Sequence, residues 1–334
     1  MPQPTPGGHL LEVKDLFVEF HTRDGVARVI NGVSYHLNRG ETLAVLGESG
    51  SGKSVTAQAI MGILDVPPAV VRSGQILYQG QDLLAMDERA RREYRGKEIA
   101  MVFQDALSAL NPVFPVGWQI AETLRHRAGL SKADAMQRAL ALMDLVKIPA
   151  AKDRVKDYPH QFSGGMRQRV MIAMALALGP KVLIADEPTT ALDVTVQAQI
   201  MALLAGLRHD VDLAMILITH DLGVVAGVAD RIAVMYAGRI VEHADVHSLY
   251  AAPAHPYTKA LIDSIPKLHQ HGQPLMTIKG LPPNLLRIPP GCPFHPRCLH
   301  TQDICTTTVP ESTDLGNGRT SACHFAREVL DGRL

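Results

Sequence analysis

Residues 47–54 read Gly-Glu-Ser-Gly-Ser-Gly-Lys-Ser, which is the spacing G-x-x-x-x-G-K-[ST]. A short apolar stretch, residues 42–46, runs into this segment, and residues 55–64, with helical periodicity, lead out of it. In that setting the segment is a phosphate cradle. Gly47, Gly50 and Gly52 let the backbone curl, so that successive N–H groups, through Glu48, Ser49 and Ser51, point inward at phosphate oxygens. The helix N-terminus adds its dipole, Lys53 reaches the β- and γ-phosphates, and the Ser54 hydroxyl can coordinate Mg²⁺. Residues 182–187, Val-Leu-Ile-Ala-Asp-Glu, are an apolar strand ending in two carboxylates. Burying its four apolar residues delivers Asp186 beside the cradle, where it can hold Mg²⁺ through water. Glu187 is then placed to orient and deprotonate an attacking water. Taken alone, His220 after residues 213–219 and Gln104 after residues 101–103 read as structural.

The elements needed to position these groups are legible in the pattern. Residues 11–20 alternate as a strand, residues 29–37 form a second, and residues 76–78 and 99–103 are further strands. Apolar positions at helical spacing give two helices within 118–146 and a third over 163–178. Residues 182–185 and 213–219 are continuous apolar runs, expected for strands buried on both faces of a parallel sheet. Residues 232–236 and 239–242 flank Ala237-Gly238 as a hairpin, and residues 87–98, with nine charges of mixed sign, read as a solvated helix. Alternating strands and helices imply an α/β sheet.

Composition narrows the class. With 33 Lys+Arg against 33 Asp+Glu and 46% apolar residues, the 334-residue chain is globular and has room for a large domain and a smaller one. Zero net charge and few aromatic rings argue against nucleic acid as a partner. No apolar window is long enough for a membrane helix and the first nine residues lack signal-peptide features, so a soluble intracellular protein is expected. All four cysteines lie beyond residue 291 and half of the 22 prolines at or beyond Pro253. The expected division is therefore a thiol-free domain over 1–250 and an appendage over 251–334, low in regular structure.

Taken together the motifs resemble the nucleotide-binding subunit of an ATP-binding cassette (ABC) transporter. Six elements stand in that family's order: the P-loop 47–54, Gln104 as Q-loop, the signature Phe162-Ser163-Gly164-Gly165-Met166-Arg167-Gln168-Arg169, Asp186/Glu187, the D-loop Thr190-Ala191-Leu192-Asp193, and His220 as switch histidine. The family's L-S-G-G-Q reads Phe-Ser-Gly-Gly-Met here. The resemblance implies a P-loop NTPase fold: a RecA-like core with parallel sheet, an antiparallel β subdomain, and a helical subdomain over about 106–178. It also implies two cassettes joined head to tail, with ATP between the P-loop of one and Ser163, Gly164, Gly165 and Met166 of the other. Glu187 is then the general base, His220 the γ-phosphate sensor, and Gln104 a Mg²⁺ ligand coupled to membrane subunits. Phe20, at the end of the first strand, either stacks on adenine or packs in the core.

Residues 254–261, Ala-His-Pro-Tyr-Thr-Lys-Ala-Leu, are similar to the tract opening the C-terminal extension of oligopeptide, dipeptide and nickel importer ATPases. Phe103-Gln104-Asp105 with Leu110-Asn111-Pro112 point to the same branch. That branch implies a peripheral subunit on the cytoplasmic face of the inner membrane. Its partners are a second, non-identical ATPase subunit, two transmembrane permeases and, through these, an external binding protein. Dipeptides or short peptides are the expected cargo, with nickel and other metal chelates open. A redox- or iron-responsive regulator is the rival of another class, which the intact Glu187 and His220 disfavour. Soluble cassettes of DNA repair or translation carry coiled-coil insertions or two cassettes per chain, neither of which is present.

The cysteines are spaced Cys292-x5-Cys298-x6-Cys305-x17-Cys323. Structural Zn²⁺ favours C-x(2–4)-C pairs, whereas these wider gaps suit a [4Fe–4S] cluster, which some members of the peptide branch carry at this place. Zn²⁺, with His300 or His324 substituting, and unliganded or disulfide-bonded thiols are the alternatives.

Overall fold

In the strand Leu11–Thr22 the buried positions Leu11, Val13, Leu16 and Val18 step by three between Val13 and Leu16, breaking the two-residue period. A bulge absorbs the extra residue. Asp15 adopts φ 44°, and the pairing with both neighbouring strands shifts register there. The Asp15 N–H donates to Ser34 Oγ (2.9 Å), and that hydroxyl donates back to Asp15 Oδ1 (3.1 Å). Across the bulge, a Cβ at Gly74 (φ 105°) would stand 2.6 Å from Asp15 O and Leu16 Cα, so only glycine allows this approach.

The computed structural model describes residues 8–190, 192–265 and 278–334. They form two compact units. One holds the described residues of Met1–Asn38, Thr42–Ala85 and Thr219–Leu334, and the other holds Arg39–Glu41 and Met86–Ile218. Ala191 of the expected D-loop and residues 1–7 of the leader reading lie outside the described residues.

The first unit contains an antiparallel sheet in the order Gly25–Leu37, Leu11–Thr22, Ala69–Tyr78, Gln81–Asp82. Residues 21–26, unassigned by pattern, are the tip of its first hairpin, where Thr22 pairs with Gly25. A second group of strands follows the order Thr313–Gly316, Arg319–Ser321, Arg239–Asp245, Arg231–Tyr236, Thr42–Leu46. Thr42–Leu46 runs parallel to Arg231–Tyr236, and all five of its residues are buried. The tail is less irregular than its prolines implied. Arg319–Ser321 pairs antiparallel with Arg239–Asp245 through Glu242 and His243, so the tail extends the sheet that begins at the phosphate loop.

The second unit has three parallel strands, Ile99–Val102, Val182–Asp186 and Ala214–Thr219, with every residue of the first two buried. The helices Val116–Ala128, Lys132–Leu145 and Gly164–Leu176 match the helical expectation, and Val194–Asp210 is an addition to it. Glu88–Tyr94 is the solvated helix, with no buried residue. Among the described residues no helix is long and apolar enough to cross a membrane.

Gly74→Ala should lower unfolding stability by roughly 2–4 kcal/mol, since the added Cβ meets backbone and takes a left-handed φ. Urea denaturation measures it, and an unchanged midpoint would show that the bulge yields.

Candidate functional site

The phosphate loop takes its shape from contacts that exclude side chains. A Cβ at Gly47 would fall 2.2 Å from Met235 O, and one at Gly52 (φ 107°) would fall 2.8 Å from Val29 O. The Gly238 N–H donates to Ser51 O (2.9 Å), which ties the loop to the hairpin turn beneath it. Gly52 precedes the helix Lys53–Met61 with no side-chain cap hydrogen bond, and a helix N-terminus is a favourable place for an anion. Lys53 is 5% exposed, and its Nζ donates to Gly47 O (2.8 Å) and Glu48 O (3.0 Å). The Ser51 hydroxyl is buried with no hydrogen-bond partner, an orphaned polar atom inside a loop of phosphate-binding composition.

Glu48 is held from the C-terminal region of the same unit, which no local pattern announces. Arg297 grips its carboxylate bidentately, Nη1 to Oε2 at 2.6 Å and Nη2 to Oε1 at 2.9 Å. That pairing pushes the Arg297 pKa up, and a hydrogen bond to the Tyr236 hydroxyl adds to it. The Glu48 N–H donates to Tyr257 Oη (2.9 Å) and the Ser51 N–H to Glu48 O (3.2 Å), so these two N–H groups, expected to point at phosphate, are instead engaged within the protein. Tyr257 lies in the first turn of the helix Pro256–Asp263, where His255 Nδ1 accepts from the Tyr257 N–H (3.0 Å). Residues 254–261, read in the sequence as a family tract, are thus a helix start with a histidine cap and proline at its first position.

His220 is exposed just past the strand Ala214–Thr219. Asp221 beside it caps the next turn, accepting from the Gly223 N–H (2.9 Å). Phe20 is half-buried near the end of its strand, opposite Ala27 on one neighbour and Ala69 on the other.

In the second unit, Asp186 is 6% exposed at the end of its strand. Glu187 follows at φ 45°, a left-handed conformation costly for glutamate. Its N–H donates to Ile218 O (2.8 Å), and its Oε2 accepts from Gln104 Nε2 (3.1 Å) and Thr190 Oγ1 (2.9 Å). Gln104 and Glu187, 83 positions apart, are therefore brought together. Thr190 was read only as part of the D-loop, and its hydroxyl adds a second orienting donor. Ser163 caps the helix Gly164–Leu176 by accepting from the Met166 N–H (3.4 Å). A Cβ at Gly165 would stand 2.4 Å from Val196 Cγ1, so this glycine serves packing against Val194–Asp210, while Ser163 and Gly164 remain exposed.

Cys292, Cys298, Cys305 and Cys323 are free thiols lining one cavity of about 20 Å³, together with His295, His300 and His324. Gly291 (φ 70°) lets this strand of chain approach Cys305, whose carbonyl accepts from the Cys292 N–H (2.8 Å). The His300 and Phe325 N–H groups point at Cys298 Sγ and Cys323 Sγ, each 3.4 Å away. Burial pushes the Cys292 thiol up to about 11 and that of Cys323 up to about 12, so an ionised sulfur here needs a cation beside it. Among the described residues no three His, Cys, Asp or Glu side chains are arranged around a single-ion position. His324 Nε2 lies 2.9 Å from Thr308 O, which turns it to the backbone instead of to a Zn²⁺. The four thiols line one cavity, but the described residues hold no group of three such side chains placed to bind a metal ion, so the structure does not support the [4Fe–4S] expectation or its Zn²⁺ alternative.

Comparison with known proteins bears on the whole chain. Residues 30–190 match the ABC transporter family, and residues 241–305 match the oligopeptide/dipeptide transporter C-terminal region. The oligopeptide transport ATP-binding protein OppD of Salmonella typhimurium is 50% identical over 98% of this chain and 97% of its own. The dipeptide transport ATP-binding protein DppD of Bacillus subtilis is 48% identical over 94% of each chain. The dimeric ATP-binding cassette MJ0796, solved in a post-hydrolysis state with ADP and Pi, is 26% identical. It superposes with TM-score 0.63 over 71% of this chain and 98% of its own.

His255 gives a pH prediction. It is 1% exposed, and burial pushes its pKa down to about 3 against a hydrogen bond to the Ala322 backbone carbonyl that raises it. The unfolded imidazole titrates near 6.5, so the unfolded chain binds the extra proton. Stability is complete above pH 6.5 and is lost toward pH 3, by up to about 1.4 kcal/mol per pH unit. Neighbouring Glu242 also titrates, with burial raising its pKa, so the comparison is with His255→Gln. The stability gap between the two proteins should shrink as pH falls from 7 to 4. A constant gap would deny the buried neutral histidine.

Proposed function

Because the chain belongs to the ABC transporter family, with the oligopeptide/dipeptide type of C-terminal region, we propose that it is the ATP-hydrolysing subunit of an importer of dipeptides and short peptides. The observation that carries hydrolysis, as distinct from binding alone, is the Glu187 carboxylate. It stands at the end of a buried strand and is oriented by Gln104 and Thr190. Glu187 takes the proton of the attacking water. His220 contacts the γ-phosphate, and Gln104 and Ser54 serve Mg²⁺ with Asp186 acting through water. An ion held there would supply charge to offset that of the β- and γ-phosphates. Residues 47–54 hold the phosphates, and Phe20 stacks on adenine. Ser163, Gly164, Gly165 and Met166 present their helix N-terminus to the nucleotide of a partner cassette, which the exposure of Ser163 and Gly164 permits.

The remaining assembly follows the same reading. The partner cassette is non-identical, two permeases receive the motion, and an external binding protein delivers peptide to them. The chain then works at the cytoplasmic face of the membrane. The functional division falls near residue 250, the C-terminal part serving the ATPase part. Cys292, Cys298, Cys305 and Cys323 hold a [4Fe–4S] cluster, a reading that rests on four thiols around one cavity and on N–H groups aimed at two of the sulfurs. Such a group would supply a covalent staple to a proline-rich tail with little core of its own.

Extracted from membranes in mild detergent, the tagged chain should bring two polytopic proteins and a second P-loop subunit, and peptide should stimulate turnover of that complex. Glu187→Gln should lower the turnover roughly 10²–10⁴-fold with ATP binding retained. Recovery of the chain alone would sink the importer, and undiminished turnover would remove Glu187 as base. Purified without oxygen, the chain should carry iron and absorb in the visible, and Cys298→Ser should abolish both. An iron-free wild-type chain would end the cluster reading.

A further inference from the structure

The phosphate loop carries an acidic residue in its second position, Glu48, where an uncompensated carboxylate would repel the anion the loop is built to receive. The compensation comes from far along the chain. Arg297 is 5% exposed on its side chain, Glu48 25%, and the two form a fork-on-carboxylate pair at 2.6 and 2.9 Å. Arg297 is itself fixed on three sides. Its Nη1 donates to Tyr236 Oη (3.3 Å), its Nε to Lys279 O (3.1 Å), and its guanidinium lies 5.9 Å from the centre of the Tyr236 ring. Tyr236 packs against Tyr257, ring centres 4.6 Å apart, and Tyr257 accepts the Glu48 N–H.

The backbone of Arg297 is set by the cysteine-bearing turn. Arg297 closes the short helix His295–Arg297 between Cys292 and Cys298, its N–H donating to Phe294 O (2.9 Å). The His295 N–H donates to Cys292 O (3.0 Å), and the Cys298 N–H to His295 O (3.3 Å). At the other end of the chain of contacts, the Glu48 carbonyl accepts from Lys53 Nζ. A displacement of Glu48 therefore displaces a group that positions the loop's lysine.

We propose that Arg297 is a positioning residue for nucleotide binding: from the cysteine-bearing turn it neutralises and holds Glu48, and so keeps the phosphate loop receptive to the triphosphate. The proposal rests on residues 47–54 being the phosphate loop. It assigns to the C-terminal region a direct effect on ATP affinity.

The test measures equilibrium binding of a fluorescent ATP analogue with Mg²⁺ to the full-length chain, alongside thermal melting, in five proteins. Lys53→Ala checks the underlying reading, and loss of binding there is required before the others are interpreted. Arg297→Gln should weaken binding roughly tenfold, raising KM for ATP in the assembled complex while kcat at saturation stays within about twofold. Arg297→Lys, which keeps the charge and loses the fork, should fall between wild type and Arg297→Gln. Glu48→Gln combined with Arg297→Gln removes the bare carboxylate and should recover most of the lost affinity. A folded Arg297→Gln protein that melts earlier but binds within about twofold of wild type would make Arg297 a brace only, overturning the proposal. So would a double variant no better than Arg297→Gln. Wild-type binding by Lys53→Ala would instead overturn the phosphate-loop reading and leave the Arg297 comparison to be read as stability alone.

Discussion

A loop that receives phosphate has few N–H groups to spare for holding itself together, so much of its shape has to be imposed from outside. Here the imposition is dense. Gly47 lies against Met235 O and Gly52 against Val29 O, each too close for a side chain, and Gly238 holds the Ser51 carbonyl. Glu48 is pinned at its N–H by Tyr257 and at its carboxylate by Arg297. These supports come from the strand Gly25–Leu37, the hairpin around Ala237-Gly238, the helix Pro256–Asp263 and the cysteine-bearing turn. The helix start at Lys53, without a side-chain cap, is the consequence that matters for chemistry.

A different constraint governs the second unit. A carboxylate at a strand end has to be oriented by its neighbours. Glu187 Oε2 accepts from the Gln104 amide and from the Thr190 hydroxyl. The left-handed backbone of Glu187 is the cost of turning the carboxylate out of a strand whose preceding residues are buried on both faces.

What could be read in the sequence was what short-range physics dictates. The phosphate loop, the run into Asp186 and the hairpin at Ala237-Gly238 each depend on residues within about ten positions, and the apolar runs of the parallel strands are distinctive because both faces are covered. The bulge at Asp15 was hidden because one extra residue looks like imperfect alternation. The strands Thr313–Gly316 and Arg319–Ser321 were hidden because they are only four and three residues long, too short for alternation to mark them. Arg297 could not be found at all. Its partner is 249 residues away, and an arginine between Pro296 and Cys298 carries no periodic signal. Met166, where the signature departs from the family's glutamine, is half-buried and gives up its N–H to the Ser163 cap.

The C-terminal region then reads differently from a passive appendage. A proline-rich tail with few apolar residues to bury gains little from a core, and its thiols resist ionisation in their buried cavity. It nevertheless contributes a nearly buried arginine to a carboxylate in the phosphate loop. Breaking one side of a fully buried pair costs about 3–5 kcal/mol, and Glu48, one quarter exposed, sets this pair at or below the low end of that range. Even the low end is a large share of a domain's stability. The tail therefore cannot drift from the loop without loss, nor the loop reshape without pulling on the tail. A covalent or metal staple among the four cysteines would act on the same element, because Arg297 sits in the turn between two of them. Stiffening that turn and steadying the phosphate loop are, on this geometry, one mechanical event.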